Sequence, residues 1–257
     1  MTAVAEPAFK DHFSGNSADY AAYRPSYPPE LFSWLAAQCR DHELAWDCAT
    51  GSGQAALALA PHFRKVVATD ASADQIAQAR PHGGVDYRVA PAEGSGLPTA
   101  SVDLVSVAQA LHWFDLAAFH AEVKRVLKPD GALAVWCYEG LQVEPALDAV
   151  IEDFYGRQLD AFWPPERRHV EAGYRDLAFP FAEASVPHFS MGAAWNLDQL
   201  MGYFATWSAV KAYRRETGQD PLPELLERLA APWLASGVSL ATAKNIKWPL
   251  SVRFGRV

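Results

Sequence analysis

The chain of 257 residues is poor in cysteine, in basic clusters and in long apolar runs. Its three cysteines are widely spaced and form no Cys-x-x-Cys pair, which argues against a disulfide framework or a zinc cluster. No run of lysine and arginine stands out, and the formal net charge is −8, which argues against a nucleic-acid partner. No apolar stretch is long enough to span a bilayer, and the first residues lack the features of a signal peptide. We therefore expect a soluble, cytoplasmic protein with no metal, no nucleic acid and no membrane as partner.

Between about residues 28 and 138, short apolar strands alternate with helical patterns. The strands are indicated by the stretches LAWDCA, KVVATD, VDYRVAPAE, VDLVSVAQAL and ALAVWCY. Strands that are joined by helical crossovers run parallel, and the helices then cover both faces of the sheet. The sequence therefore predicts an α/β fold with a doubly wound, mostly parallel, Rossmann-like sheet, whose core comprises residues 28–140.

The pattern changes after Gly140. Residues 141–178 are rich in aromatic side chains, and helical stretches and closing strands follow. We expect residues 141–257 to form a helical cap plus closing strands of the same domain. Ahead of the core, the segment YAAYRPSYP combines three tyrosines, an arginine and two prolines, which stiffen the chain. We expect residues 1–27 to form an arm that closes over a ligand as a lid.

The loop after the first strand is the main functional signal, because ligands of doubly wound sheets lie at the carboxyl ends of the strands. Its sequence, GSGQAA, formally satisfies the dinucleotide fingerprint G-x-G-x-x-G/A. Asp70 follows Gly51 by 19 positions, which suits an acid that binds a ribose. These features alone would indicate a nicotinamide-dependent oxidoreductase. However, the chain contains no Tyr-x-x-x-Lys pair, so the machinery of the short-chain reductases is missing.

Asp47, which ends the first strand, favours a different ligand. A carboxylate is a poor neighbour for a pyrophosphate, but it attracts a ligand that carries an ammonium and a sulfonium. S-adenosylmethionine has both charges and also a ribose for Asp70. A carboxylate can accept from two ribose hydroxyls at once, although Asp70 also suits the entry of the next helix as a cap.

Five stretches occur in order and together resemble the class I S-adenosylmethionine-dependent methyltransferases: DCATGSGQ, VVATDAS, APAEGSGLP, VDLVSVAQALHWFD and EVKRVLKPDGALAVW. The resemblance covers residues 31–138. Three further stretches resemble a smaller group, the small-molecule methyltransferases whose relatives include trans-aconitate methyltransferase: ADYAAYRPSYPPEL, AQALHWFD and YFATWSAVKAY. The resemblance implies S-adenosyl-L-methionine as cofactor, a small-molecule acceptor, and a monomer or homodimer.

The resemblance also implies a set of cofactor-binding residues. Asp47 and the two glycines would shape the methionine end, and Gln109 and Ala110 would border the methyl group. Arg24 would pair with the cofactor carboxylate, unless it is a surface residue of the arm. The complete predicted set is Arg24, Asp47, Ala49, Gly51, Gly53, Asp70, Ala71, Gln75, Ala92, Glu93, Gln109 and Ala110.

Three positions depart from the family pattern. Ala49 replaces the usual first glycine of the loop, and Gln75 replaces a methionine that commonly packs on the adenine. Pro91 stands where many relatives carry an aspartate that binds the adenine amine. We therefore expect the backbone of Ala92 or the carboxylate of Glu93 to take over that role.

His112 is the predicted catalytic residue, because it follows the fourth strand at the ligand-facing edge. It would orient the acceptor or take its proton; a histidine bonded to the backbone fits the same position. Four aromatic residues are predicted to wall the substrate pocket: Tyr27, Trp113, Tyr203 and Trp207. For Trp113 and Trp207 the alternative is core packing, and for Tyr27 it is packing within the lid.

The leading hypothesis is a methyltransferase that acts on a small molecule. Since the sulfonium is already activated, transfer needs alignment and exclusion of water. A carboxylate acceptor needs no base and is the preferred class. The rivals are a nicotinamide-dependent oxidoreductase and a non-catalytic module that binds the cofactor.

Overall fold

The computed structural model describes residues 25–235 and 237–257. Its elements follow in the order α1 (Pro29–Ala37), β1 (Leu44–Cys48), α2 (Gln54–Leu59), β2 (Lys65–Asp70), α3 (Ala73–Ala77), β3 (Val85–Val89), β4 (Val102–Ala108), a 3-10 helix (Leu111–Trp113), α4 (Leu116–Val126), β5 (Leu127–Tyr138), α5 (Pro145–Asp153), a π turn (Phe154–Gln158), a second 3-10 helix (Asp160–Phe162), α6 (Arg167–Glu171), β6 (Phe189–Trp195), α7 (Leu197–Ala205), α8 (Ser208–Thr217), α9 (Leu222–Leu234) and β7 (Lys244–Arg256).

In this part of the chain seven strands form one sheet, in the order β3-β2-β1-β4-β5-β7-β6. The neighbours among β1 to β5 pair in parallel, whereas β7 runs antiparallel to both β5 and β6. The predicted doubly wound, mostly parallel sheet is confirmed. The strand order reverses between β1 and β4, and the crevice outside the carboxyl ends of these strands is where such folds bind ligands.

Successive side chains of β1 point to opposite faces of the sheet. Trp46 and Cys48 pack with α4 on one face, in a cluster that includes Phe119 and Val123. On the other face, Ala45 packs in a second cluster whose further members come from α1, α2 and neighbouring strands. The alternation follows from the two-residue period of a strand. Both faces of β1 are thus covered, so its polar residue Asp47 is enclosed.

A third apolar cluster joins the helices that follow the parallel strands. It contains buried residues of α5, α7, α8 and α9 together with residues of β6 and β7. The aromatic side chains there are Tyr138, Phe154, Tyr203, Phe204, Trp207, Trp233 and Trp248. The aromatic-rich second half of the sequence therefore packs on the strands that extend the parallel sheet.

The structure differs from the sequence-based boundaries at two places. The fifth strand was expected to begin at Ala132, but β5 begins at Leu127, because Leu127 pairs with Val102 ahead of a register shift. The helical stretch over residues 197–215 is divided into α7 and α8, and extended backbone at Trp207 separates the two.

Two further expectations concern the ends of the described region and the membrane. The predicted lid arm lies outside the described residues except for residues 25–27, which form no helix or strand. Across residues 25–235 and 237–257, no helix combines the length and the apolar character that a membrane crossing requires.

Candidate active site

Asp47 lies at the centre of the carboxyl edge of the sheet, 1% exposed. Its Oδ1 accepts a hydrogen bond from Ser106 Oγ at 2.6 Å, and its Oδ2 accepts one from Thr50 Oγ1 at 2.5 Å. Ser106 is opposite Asp47 in the parallel register of β1 and β4. Burial raises the pKa of Asp47 to about 6, against the opposing effect of these two hydroxyl donors. The carboxylate therefore carries a negative charge at neutral pH that the protein itself only partly stabilises.

The loop after β1 has left-handed backbone at three alternate residues. The φ angles are 54° at Ala49, 56° at Gly51 and 92° at Gly53. Glycine adopts this region freely, whereas an alanine there is strained. Ala49 therefore places backbone strain at the point where the loop leaves the strand.

Gly53 is required by its neighbour as well as by its backbone. A Cβ atom at this position would lie 2.4 Å from the hydroxyl oxygen of Tyr87 in β3. At Gly51, by contrast, the nearest atom to such a Cβ would be Gln75 Oε1, at 3.7 Å. The space beside Gly51 thus opens toward α3 and Gln75, which is where a ligand can approach the loop backbone.

Asp70 closes the loop from the end of β2. Its Oδ2 accepts from the backbone N–H of Gly51 and its Oδ1 from the backbone N–H of Ser72, both at 2.9 Å. Ser72 itself caps α3 by accepting from the backbone N–H of Gln75. A carboxylate oxygen can accept more than one hydrogen bond, so Asp70 retains capacity for two ribose hydroxyls. Burial raises its pKa, which the two backbone donors oppose.

Gln109 fastens the ends of β4 and β5 together. Its side-chain Nε2 donates to the carbonyl of Tyr138 and its Oε1 accepts from the N–H of Tyr138, at 3.2 and 3.0 Å. Its own N–H donates to the carbonyl of Trp136, and its backbone is left-handed, with φ of 58°. Because the side chain is engaged in this way, Gln109 has its backbone carbonyl to offer a ligand.

His112 lies in the 3-10 helix after β4 and is bonded to a side chain, not to the backbone. Its Nδ1 lies 2.8 Å from the hydroxyl oxygen of Tyr174, a fully buried residue. Burial, with smaller contributions from the positive charges of Arg167 and His169, lowers the pKa of His112 to about 3. The imidazole is therefore neutral at physiological pH and a weak base.

The other predicted cofactor residues line the same edge. Glu93 follows β3 and accepts from the backbone N–H of Asp115 at 3.1 Å, which links this loop to the start of α4. Ala92 and Ala110 are buried, and Ala71 is exposed after β2. Arg24 lies outside the described residues.

The four aromatic residues predicted for the substrate pocket separate into two groups. Tyr203 and Trp207 are buried in the third apolar cluster, and Tyr203 Oη accepts from Trp248 Nε1 at 3.2 Å. Tyr27 and Trp113 are half-buried; the Tyr27 ring packs edge-on against Trp136, and the Trp113 ring lies 4.7 Å from the ring of His112. Core packing thus accounts for the first pair, whereas the second pair borders the strand ends.

Four residues that the sequence analysis missed take part in this edge. Ser106 was detectable as a polar residue inside an apolar strand, and Thr50 lies within the loop motif itself. Arg167 begins α6, and Tyr174 lies in the turn that follows, 62 positions after His112; no local pattern marks either residue. A group of metal-binding side chains is absent among the described residues.

The charges at this edge suit a cationic cofactor. Asp47 and Asp70 lie close enough for Asp70 to raise the pKa of Asp47, and neither forms an ion pair with the described residues. A pyrophosphate would add negative charge beside both carboxylates. An ammonium or sulfonium would instead balance them. The residues present therefore fit S-adenosylmethionine; that Asp47 and the loop hold its methionine end and Asp70 its ribose stays a prediction.

Comparisons with known proteins agree with this chemistry. Residues 46–135 match a family described as a methyltransferase domain. A Dictyostelium discoideum protein named as a methyltransferase is 36% identical over 86% of this chain and 86% of its own. A Saccharomyces cerevisiae protein named as an S-adenosylmethionine-dependent methyltransferase is 30% identical over 80% of this chain and 83% of its own.

The solved structures include one of high similarity across most of the chain. A protein from Anaeromyxobacter dehalogenans, described as a type II methyltransferase, is 46% identical and superposes with a TM-score of 0.86. The match covers 91% of this chain and 98% of that one. These findings agree with the resemblance and leave the nicotinamide-dependent and non-catalytic alternatives without support. The chain belongs to the class I S-adenosylmethionine-dependent methyltransferases.

Proposed function

We propose that this methyltransferase acts on a small organic acid and transfers the methyl group to a carboxylate oxygen. When bound, S-adenosylmethionine supplies a methyl group on a sulfonium, so the acceptor oxygen displaces sulfur and no proton has to leave a carboxylate. The chain's part is to align the acceptor oxygen with the methyl–sulfur bond and to exclude water.

The enclosure of His112, whose Nδ1 lies 2.8 Å from the hydroxyl oxygen of buried Tyr174, is the observation that carries this proposal. His112 is the titratable residue of the 3-10 helix beside the predicted methyl position, and its pKa is lowered to about 3. A base of that strength is poorly matched to a phenol or an alcohol, whose proton is held far more tightly. A carboxylic acid is already ionised at neutral pH. His112 is then a positioning group, with its ring held by Tyr174.

The proposal includes a division of labour along the chain. Residues 28–140 hold the cofactor, residues 141–257 form the cap and closing strands that select the acceptor, and residues 1–27 close over both as a lid in which Arg24 reaches the cofactor carboxylate. The sequence resemblance to the relatives of trans-aconitate methyltransferase supports a small acid as acceptor. The cytoplasmic location and the monomeric or homodimeric state stay predictions from the sequence.

The test is a transfer assay with methyl-labelled cofactor and three panels of acceptors: carboxylic acids, phenols and primary amines. We expect label in acids only, in a product that mild alkali hydrolyses as an ester. His112→Asn should lower kcat less than tenfold, and any pH–rate limb between pH 5 and 8, including one from Asp47, should be the same in both proteins. Alkali-stable label in a phenol or an amine, with a limb that His112→Asn removes, would contradict the proposal.

A further inference from the structure

Arg167 extends from α6 to the carboxyl end of β5. Its Nη2 donates to the backbone carbonyl of Glu139 at 2.7 Å, and its Nε donates to the hydroxyl of Tyr155 at 2.7 Å. Glu139 directly follows Tyr138, the residue to which the side chain of Gln109 is bonded. Arg167 is therefore held at the same strand end as the residue predicted to border the methyl group.

Aromatic rings enclose the guanidinium on one side. Its carbon lies 5.0 Å from the ring centre of Trp163 and 5.5 Å from that of Tyr155. Trp207 extends the wall, with its ring centre 5.4 Å from that of Trp163 and 5.8 Å from that of Tyr155. These flat faces can attract the cation and can also pack against a planar ligand.

The charge of Arg167 is not balanced by a carboxylate in direct contact. The hydroxyl of Tyr155 donates to Glu171, so that carboxylate reaches Arg167 only through the tyrosine. Within the described residues, Arg167 forms no ion pair although it is half-buried. The other described arginines without an ion pair are exposed: Arg80, Arg168, Arg175 and Arg256. A half-buried guanidinium whose two hydrogen-bond partners are neutral is suited to bind an anion.

Arg167 also lies within electrostatic reach of His112, because its positive charge contributes to the low basicity of that imidazole. The hydrogen bonds of the guanidinium use Nε and Nη2, and Nη1 makes no hydrogen bond to the described residues. Nη1, on a guanidinium that no carboxylate contacts directly, thus lies near the strand end that carries Gln109 and His112.

We propose that Arg167 is the specificity-determining residue of the acceptor site and binds the carboxylate of a planar, unsaturated organic acid, whose body packs against Trp163 and Tyr155. This inference rests on the proposed function for the position of the acceptor, but it concerns recognition and not the atom that is methylated. Tyr155 and the Glu139 carbonyl orient the guanidinium so that its free edge faces the ligand.

The test measures binding by calorimetry to the full chain saturated with S-adenosylhomocysteine. The probes are cinnamate, benzoate and fumarate, and each is compared with its neutral primary amide. At least one acid should bind tenfold or more tightly than its amide. Arg167→Gln should lower the affinity for that acid at least tenfold. It should change the affinities for the amide and for S-adenosylhomocysteine by less than threefold. The matched control is Arg168→Gln, since this neighbouring arginine is exposed and forms no ion pair; it should change none of these affinities.

Arg167→Lys serves if the glutamine variant does not fold. A lysine keeps the charge but cannot bond Tyr155, the Glu139 carbonyl and a ligand in one plane. The affinity of this variant for the acids should therefore fall at least threefold, and its affinity for the amides should not change. The inference is overturned if no acid binds better than its amide, or if the Arg167 variants bind the preferred acid as the natural chain does.

The failure of this inference can be told apart from that of the proposed function. If the acid binds through Arg167 but label appears elsewhere than in an ester, the carboxylate-methylation proposal fails and the binding inference stands. If methyl esters form equally well in the Arg167→Gln protein, the function stands and the role of Arg167 is wrong.

Discussion

The cofactor edge and the surroundings of Arg167 are assembled from the sequence in different ways. At the cofactor edge, Asp47, Thr50 and the loop glycines lie within seven consecutive residues, and Asp70 follows after one helix. The surroundings of Arg167 come from Glu139, from the segments around Tyr155 and Trp163, and from Trp207 between two later helices. The first region has small side chains and left-handed backbone, and the second has large rings around one cation.

This difference has a consequence for how substitutions act. A change in the loop alters backbone geometry that a nucleoside cofactor must fit, so it should affect cofactor binding directly. A change among the rings alters packing and the space left for the acceptor, and the parallel strands need none of it for their own pairing. We therefore expect the two regions to separate experimentally.

Trp207→Ala should have the largest effect and should fall on stability. The side chain is 9% exposed and packs against Phe154 and Phe204, with ring centres 6.2 and 4.8 Å away. Truncation of a large buried aromatic side chain costs about 3–5 kcal/mol of unfolding free energy. Chemical denaturation measures it, with Leu226→Ala as the control, because Leu226 is 36% exposed. Affinity for S-adenosylhomocysteine should stay within threefold at a temperature where the variant is folded; a tenfold loss would contradict the separation.

Asp70→Ala tests the cofactor edge, and here the main loss should be in cofactor affinity and not in stability. Two charge-assisted hydrogen bonds to the ribose would be lost, at about 1.5 kcal/mol or more each, so the Kd for S-adenosylhomocysteine should rise about a hundredfold or more. The variant also loses the acceptor of the Gly51 and Ser72 N–H groups, which should cost about 2 kcal/mol of unfolding free energy. Asp74→Ala, at an exposed position in α3, is the control and should change neither quantity. Unchanged affinity in Asp70→Ala would remove this residue from the site.

Asp47→Asn should increase the free energy of unfolding and should weaken the binding of the cofactor. The pKa of Asp47 is raised from 3.8 to about 6, so the native state holds a proton that the unfolded state has released between these values. Stability from this group is complete below pH 3.8 and is lost as the pH rises to 6. At pH 7 the asparagine variant avoids this loss, and its unfolding free energy should be higher by about 1–3 kcal/mol.

Denaturant unfolding of Asp47→Asn and of the natural chain at pH 4 and pH 7 tests this prediction. The variant should have the higher unfolding free energy at pH 7, and the difference should nearly vanish at pH 4. Binding of S-adenosylmethionine should weaken in Asp47→Asn more than binding of neutral adenosine, since only the former carries positive charges. Equal losses for both ligands would show that Asp47 acts by shaping the loop alone.

The sequence predicted the parallel sheet and the loop because both depend on near neighbours. The alternation of apolar strands with helices indicated parallel pairing. The spacing of 19 positions placed Asp70 beside the loop, where it accepts from the Gly51 N–H; its role in binding a ribose stays a prediction. The hydrogen bond of Ser106 could have been predicted too, since a polar side chain in a buried strand needs a hydrogen-bond partner, and Asp47 lies in the adjoining strand.

Arg167 and the break at Trp207 could not be predicted in this way. The contacts of Arg167 span 28 positions to Glu139 and 12 to Tyr155, and α6, which carries it, has only five residues. The pattern of residues 197–215 is helical on both sides of Trp207, and tertiary packing of the indole, not local propensity, interrupts it. Interactions between distant segments decide both features.

Ala49→Gly should give the smallest effect and tests whether the strained loop serves the cofactor. The left-handed backbone at Ala49, with φ of 54°, costs about 1–2 kcal/mol for an L-residue, and the greater freedom of glycine in the unfolded chain takes back about 0.5–1 kcal/mol. The net gain in unfolding free energy should therefore be about 0.5–1 kcal/mol. Ala100→Gly, at a φ of 50° in an exposed turn just before the amino end of β4 and thus at the opposite edge of the sheet, should show a similar gain. If both variants gain stability but only Ala49→Gly loses affinity for S-adenosylhomocysteine, the alanine at the end of β1 holds the loop in its binding geometry at a cost in stability. If neither affinity changes, Gly51, Gly53 and the Asp70 carboxylate are sufficient to set that geometry, and the strain at Ala49 has no part in binding.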